Sequence, residues 1–195
     1  MHPHPQDMPP ETGQTLIAIA RGAIARQLNP ETHIDINVPD ADWLKTKRAS
    51  YVTLLHEGRL RGSTGSLQAH RTLAEDVMSN AVAAACRDLR FKPLGHDEFA
   101  RTRIEVCVLS ALEELQTADE ATTLAQLRPG IDGLTLEYGR HRSSFLPEMW
   151  SQSEDAAEFL AQLKYRAGLP PDFWSPEVRI ARYTAIKWQE NESSP

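Results

Sequence analysis

The chain has 195 residues, 41% of them hydrophobic and 25% charged, the make-up of an ordinary soluble globular protein long enough to bury a core. Its net charge of −6 argues against a dedicated nucleic-acid binder, whose footprint is basic, and no apolar run nears the roughly 20 residues that span a bilayer. Residues 59–103 run against the total, with eight Lys/Arg to five Asp/Glu, so they carry +3 and the rest −9; such a stretch either faces an anionic group or forms ordinary surface ion pairs.

Residues 1–12 read as a disordered, proline-rich tail, on which His2-Pro3-His4 is too loosely held to make a metal site. The tail lacks the basic and apolar regions of a signal peptide, which leads us to expect a cytoplasmic protein. From Gln14 to Leu28 the apolar positions Leu16, Ile19, Ala20, Ala23, Ile24 and Leu28 recur at threes and fours, the stripe of an amphipathic helix, and Asn29-Pro30 ends it. His33–Val38 alternates as a short edge strand. The stretch 50-SYVTLLHEGRLRGSTG-65 predicts a β-hairpin turning at Glu57-Gly58, where Gly58 supplies a positive φ.

Thr72 and Glu75 form a capping box ahead of a helix with the stripe Leu73, Val77, Ala81 and Ala84. The run 104-IEVCVL-109 predicts a strand, with Glu105 and Cys107 facing away from its β-branched residues. A weak helix is expected over Ala121–Leu127, and two strands over 131–139 and 140–146. The last helix is expected from Glu154 to Ala167, with Ser153 as N-cap and Gly168 as terminator, and 178-VRIARYTAIKW-188 reads as one closing strand. Residues 190–195 form a loose tail. Strand pairs joined by tight turns imply an α+β fold with a mixed, largely antiparallel sheet flanked by helices. Cys86 and Cys107 sit in apolar runs and read as reduced thiols.

The order of VTL, LRGSTG, NAVAAA, RF-x-PL, IEVCVL, FLPE and ARYTA resembles the AMMECR1 domain family over nearly the whole chain, from about Leu16 to Trp188. The resemblance implies one domain over 13–189, a main lobe with a smaller α/β lobe. It also implies partnership with Memo-like and radical S-adenosylmethionine proteins, without naming a reaction. The family's loop usually reads L-R-G-C-I-G; Leu60, Arg61, Gly62 and Gly65 match, while Ser63 and Thr64 replace Cys and Ile. Its D-P-R-F stands here as Asp88-Leu89-Arg90-Phe91. A hydroxyl at position 63 does not ionise unaided as a thiol can.

The expected ligand site gathers Arg61, Gly62, Ser63, Gly65, Asn80, Arg90 and Glu105, with Ser63 and Glu105 as the candidates for catalysis. Arg61 would hold an anionic small molecule, supported by a nest of N–H groups along Gly62–Gly65; alternatively it pairs internally, Glu105 being one candidate. Arg59 shares its face by the two-residue period. Glu105 is either an anchor for an arginine or a general base, according to its surroundings. Arg90 would point into the same pocket, with Phe91 as core. His56, His96 and Arg140-His141-Arg142 show no ligand spacing, so neither metal nor cofactor is expected. The competing function is a non-catalytic accessory module that docks through the same face.

Overall fold

A computed structural model describes residues 8–190, so the proposed His2-Pro3-His4 spacing and most of both expected tails lie outside the described residues. The chain forms two compact units, one from residues up to Leu109 together with those from Ile186 on, the other from Ser110–Ala185. The architecture is α+β, with helices and two four-stranded sheets.

The first unit carries helices α1 (Thr12–Leu28), α2 (Asp42–Lys45), α3 (Leu73–Cys86) and α4 (His96–Phe99). Its sheet has the order β2 (Arg59–Gly65), β1 (Ser50–His56), β3 (Thr102–Leu109), β8 (Ala185–Gln189). β1 pairs antiparallel with both β2 and β3. α1 and α3 pack on the face carrying Val52, Leu54, Ile104, Val106 and Val108, meeting it with Leu16, Ile19, Leu73, Val77 and Ala81. The helical stripes were patterned for this: buried residues recur on one side of each helix. α3 starts at the expected capping box, Glu75 N–H donating to Thr72 Oγ1 and Thr72 N–H to the Glu75 carboxylate. Glu190 ties the end of the unit down, accepting from Arg21 at 2.6 and 2.7 Å and from Ile104 N–H at 2.9 Å.

The second unit has sheet order β4 (Glu113–Glu114), β7 (Arg179–Tyr183), β5 (Gly133–Tyr138), β6 (His141–Phe145), all antiparallel. Helices α5 (Glu120–Leu124) and α6 (Ala156–Arg166) and a 3-10 turn at Pro147–Gln152 complete it. Its core joins Leu134, Leu136 and Ile180 to Phe159, Leu160 and Leu163, with Trp150 stacked on Phe159 at 3.8 Å.

Three expectations need correction. His33–Val38 is not a strand: it has no sheet partner, and its alternation reflects Ile36 packing against α1 at Gly22. The last helix is capped by Asp155, which accepts from Glu158 N–H at 2.8 Å, not by Ser153. The closing strand 178–188 is two strands, broken at Thr184, that belong to different sheets.

Candidate functional site

The hairpin turns on Glu57 and Gly58, both at positive φ (51° and 75°), as a two-residue turn between twisted strands requires. The ladder then slips: Leu55 pairs with Leu60 but Leu54 with Gly62, so Arg61 is an extra residue, a β-bulge without a partner in β1. The bulge also interrupts the two-residue period that was to place Arg59 beside Arg61; Arg59 sits opposite His56 and is exposed.

Arg61 grips Glu98. Its Nε and Nη2 donate to the two carboxylate oxygens at 3.0 and 2.9 Å, and Nη1 is buried. The Arg61 side chain is 13% exposed and that of Glu98 38%. Glu98 is held for the task at the end of α4: Gly95 N–H donates to its carboxylate and the Thr102 hydroxyl to its carbonyl. The Arg61 hydrogen bonds, then that of Gly95, pull the Glu98 carboxyl from an ordinary 4.5 down to about 2. Arg61 therefore pairs internally, one of its two expected roles, but the partner is Glu98, 37 residues away, and not the candidate Glu105.

Residues 88–93 line the outer edge of β2. Asp88 accepts from Ser63 N–H at 2.9 Å, capping an edge-strand donor that the ladder leaves over. Arg90 clamps the same carboxylate with Nε and Nη2 at 3.0 and 2.7 Å, and these bonds hold Asp88 well below the usual carboxylate range. Phe91 is half-buried, not core; the guanidinium carbons of Arg61 and Arg90 lie 5.8 and 5.6 Å from its ring centroid.

The glycines of LRGSTG serve packing. A Cβ on Gly62 would stand 2.1 Å from the Ala84 carbonyl oxygen, so only glycine lets α3 lie this close to β2. A Cβ on Gly65 would strike the Tyr51 ring at 2.2 Å. The expected anion nest is absent: Gly62–Gly65 is extended strand without positive φ, and the Ser63 N–H is spent on Asp88.

What remains of the motif's chemistry is the Ser63 hydroxyl. It lies 2.9 Å from Thr53 Oγ1 on the sheet face opposite α1 and α3. Thr53 in turn pairs in register with Glu105 on β3, and Glu105 meets Lys187 on β8 at 3.6 Å. Ser63, Thr53, Glu105 and Lys187 thus form a polar row across all four strands. Tyr51 and Cys107, paired one step along, share this face.

Asn80 is elsewhere. It is buried on α3, donating to the Ser50 carbonyl and Asp76 at 2.9 Å each; Asp76 also accepts from Ser50 N–H, Ser50 Oγ and Ser66 Oγ. This network ties the far end of the hairpin to α3, at Ser66, five residues or roughly 17 Å of extended chain from Arg61. The structure therefore brings together Arg61, Ser63 and Arg90 around Asp88 and Phe91, sets Glu105 on the polar row, and separates Asn80. Sequence reasoning missed Glu98, Thr53, Lys187 and the acceptor roles of Asp76 and Asp88. Among the described residues no three His, Cys, Asp or Glu side chains gather as a metal site, and no helix is long and apolar enough to cross a membrane.

The AMMECR1 family model matches residues 17–188. A protein of Methanothermobacter thermautotrophicus is 34% identical over 183 residues, covering 93% of this chain and 95% of that one. One of Methanocaldococcus jannaschii is 32% identical over 186 residues, covering 93% and 92%. The crystal structure of an uncharacterized protein from Pyrococcus horikoshii is similar with a TM-score of 0.83 and 29% identity, over 92% of this chain and 91% of that one.

Proposed function

The chain belongs to the AMMECR1 family, and we propose that it binds a small polar molecule on the polar row of its first sheet. The observation that carries this reading is the contact of Ser63 Oγ with Thr53 Oγ1 at 2.9 Å, in line with the Glu105–Lys187 pair. Two hydroxyls offer donors and acceptors, Glu105 an acceptor, and the exposed Lys187 a cation for an acidic group. Arg61 is not the grip, because a ligand would have to displace Glu98 from a bidentate pair. Ser63 stands where the family's loop usually carries cysteine. A hydroxyl keeps the hydrogen bonding there without a ready thiolate, so we assign recognition and no reaction.

Thermal unfolding of wild type, Ser63→Ala and Lys187→Ala against a panel of carboxylates, amino acids, nucleotides and phosphorylated metabolites tests this. A ligand at about 100 times its Kd adds roughly 2.7 kcal/mol, about 5–11 °C for a chain of this size. The expected result is a shift in wild type that both variants lose while staying folded. A shift that survives in both variants, or no shift with any compound, refutes the reading.

A further inference from the structure

We propose that residues 34–38 pair with the same residues of a second copy of this chain, as an antiparallel β-ribbon across a twofold axis. The segment His33–Val38 has a strand's alternation and no strand beside it. From His33 to Asp40 the chain runs without a turn or bend, and with no positive φ. Its side chains point as a strand's do. His33 Nε2 meets Asp35 Oδ1 at 2.9 Å on one side, while Ile36, on the other, packs against α1, with a carbon 3.3 Å from where a Cβ on Gly22 would stand. Both ends are fixed, one by the Thr32 N–H donating to the Asn29 carbonyl, the other by the ion pair of Asp40 with Lys45. Among the described residues, however, no backbone N–H or C=O from His33 to Val38 bonds to another backbone group, and Val38 is 38% exposed. An ordered, extended segment with its main-chain groups open is a template for another strand.

The occupant follows from the residues themselves: Ile34-Asp35-Ile36-Asn37-Val38 is self-complementary about Ile36. Antiparallel pairing centred there sets Ile36 against Ile36 and each Ile34 against Val38 of the other copy. Each Asp35 then faces an Asn37, whose amide donates to the carboxylate. With Ile34, Ile36 and Val38 at the hydrogen-bonded positions, the copies exchange about six main-chain bonds. Pro39, which has no N–H, falls at a position that needs none. Neighbouring centres are worse. At Asp35, two carboxylates face each other; at Ile34, the ladder draws in Thr32, whose N–H is already given to Asn29. The same pairing covers the exposed Val38, and a twofold ribbon closes on itself as a dimer. So short a ribbon is a small contact, which sets a weak dimer, with a Kd on the order of 100 µM.

The test is sedimentation equilibrium of the full chain from about 10 µM to about 1 mM, a range that brackets the expected Kd. The expected result is a reversible monomer–dimer equilibrium. Val38→Pro removes one main-chain donor per copy, and Asn37→Asp sets carboxylates against carboxylates. Each should weaken the dimer about tenfold or more. Adding Asp35→Lys to Asn37→Asp places opposite charges across the ribbon and should restore it. Asp35, Asn37 and Val38 are exposed, so every variant should keep the wild-type melting temperature at concentrations where the chain is monomeric. A monomer at every concentration, a dimer that Val38→Pro and Asn37→Asp leave intact, or a double variant that stays as weak as Asn37→Asp would each overturn the proposal.

Discussion

Arg61 and Glu98 offer the sharpest check on whether LRGSTG is built as a ligand grip or as a brace. The pair lowers the Glu98 carboxyl from 4.5 to about 2 in the folded chain. Since the folded value is the depressed one, the stabilisation is fully present above about pH 4.5 and is lost as pH falls through about 2. The full interval corresponds to about 3 kcal/mol. Glu98 is 38% exposed, however, and solvent screening leaves about 1 kcal/mol. Arg61→Ala also removes a side chain that is 13% exposed and packs over Phe91, adding about 1 kcal/mol at any pH. The variant should therefore lie about 2 kcal/mol below wild type at pH 7, a drop of about 4–8 °C in Tm. Urea unfolding at several pH values separates the two parts. The gap should narrow below about pH 4.5, with more than half of the ionic part gone by about pH 3. A gap independent of pH would refute the ion-pair account, and an Arg61→Ala protein as stable as wild type would refute the brace altogether.

Gly62→Ala should cost about 3 kcal/mol by driving a Cβ into the Ala84 carbonyl. Gly58→Ala, with open space around it but φ at +75°, should cost only about 1 kcal/mol; calorimetry of both variants tests the contrast. Asp76→Ala strands donors of Ser50, Ser66 and Asn80 inside the protein and should lower stability by about 3–5 kcal/mol in denaturant titration; a loss below about 1 kcal/mol would mean that water replaces the carboxylate. Asp88→Ala uncaps the Ser63 amide, whose hydrogen exchange should accelerate by about tenfold or more while the amides of α3 keep their protection.

The elements legible in the sequence are those whose signals are local. Thr72 and Glu75 lie three residues apart and announce α3, and the stripe from Leu16 to Ile24 reports the buried side of α1. The hairpin shows itself through Gly58. What escaped depends on distant partners. Nothing near Glu98 marks it as the counter-ion of Arg61, and nothing near Lys187 marks it as that of Glu105. The break at Thr184 is equally silent: apolar residues alternate through it, although the strands on either side join different sheets. His33–Val38 misleads for the opposite reason, since Ile36 meets a helix where a strand partner was expected.

The bulge at Arg61 is where local reading and structure part most consequentially. A regular ladder from the His56–Arg59 pair would set Leu54 opposite Arg61, Thr53 opposite Gly62 and Val52 opposite Ser63. Cross-strand partners share a face, so Ser63 would then lie beside Val52, towards the helices, where an unpaired hydroxyl is costly. The extra residue shifts the register by one and turns the strand over. Ser63 joins Thr53 on the opposite face, Gly62 comes under Ala84, and Arg61, released from the ladder, reaches Glu98. Arg61, Gly62 and Ser63 thus each have their role only because of the bulge. The brace formed by Arg61 and the close fit of Gly62 hold the bulge in place, and the bulge aims position 63 at Thr53, Glu105 and Lys187. A Ser63→Cys side chain would be delivered to that same row, so the exchange would change the reactivity of the face and not its geometry.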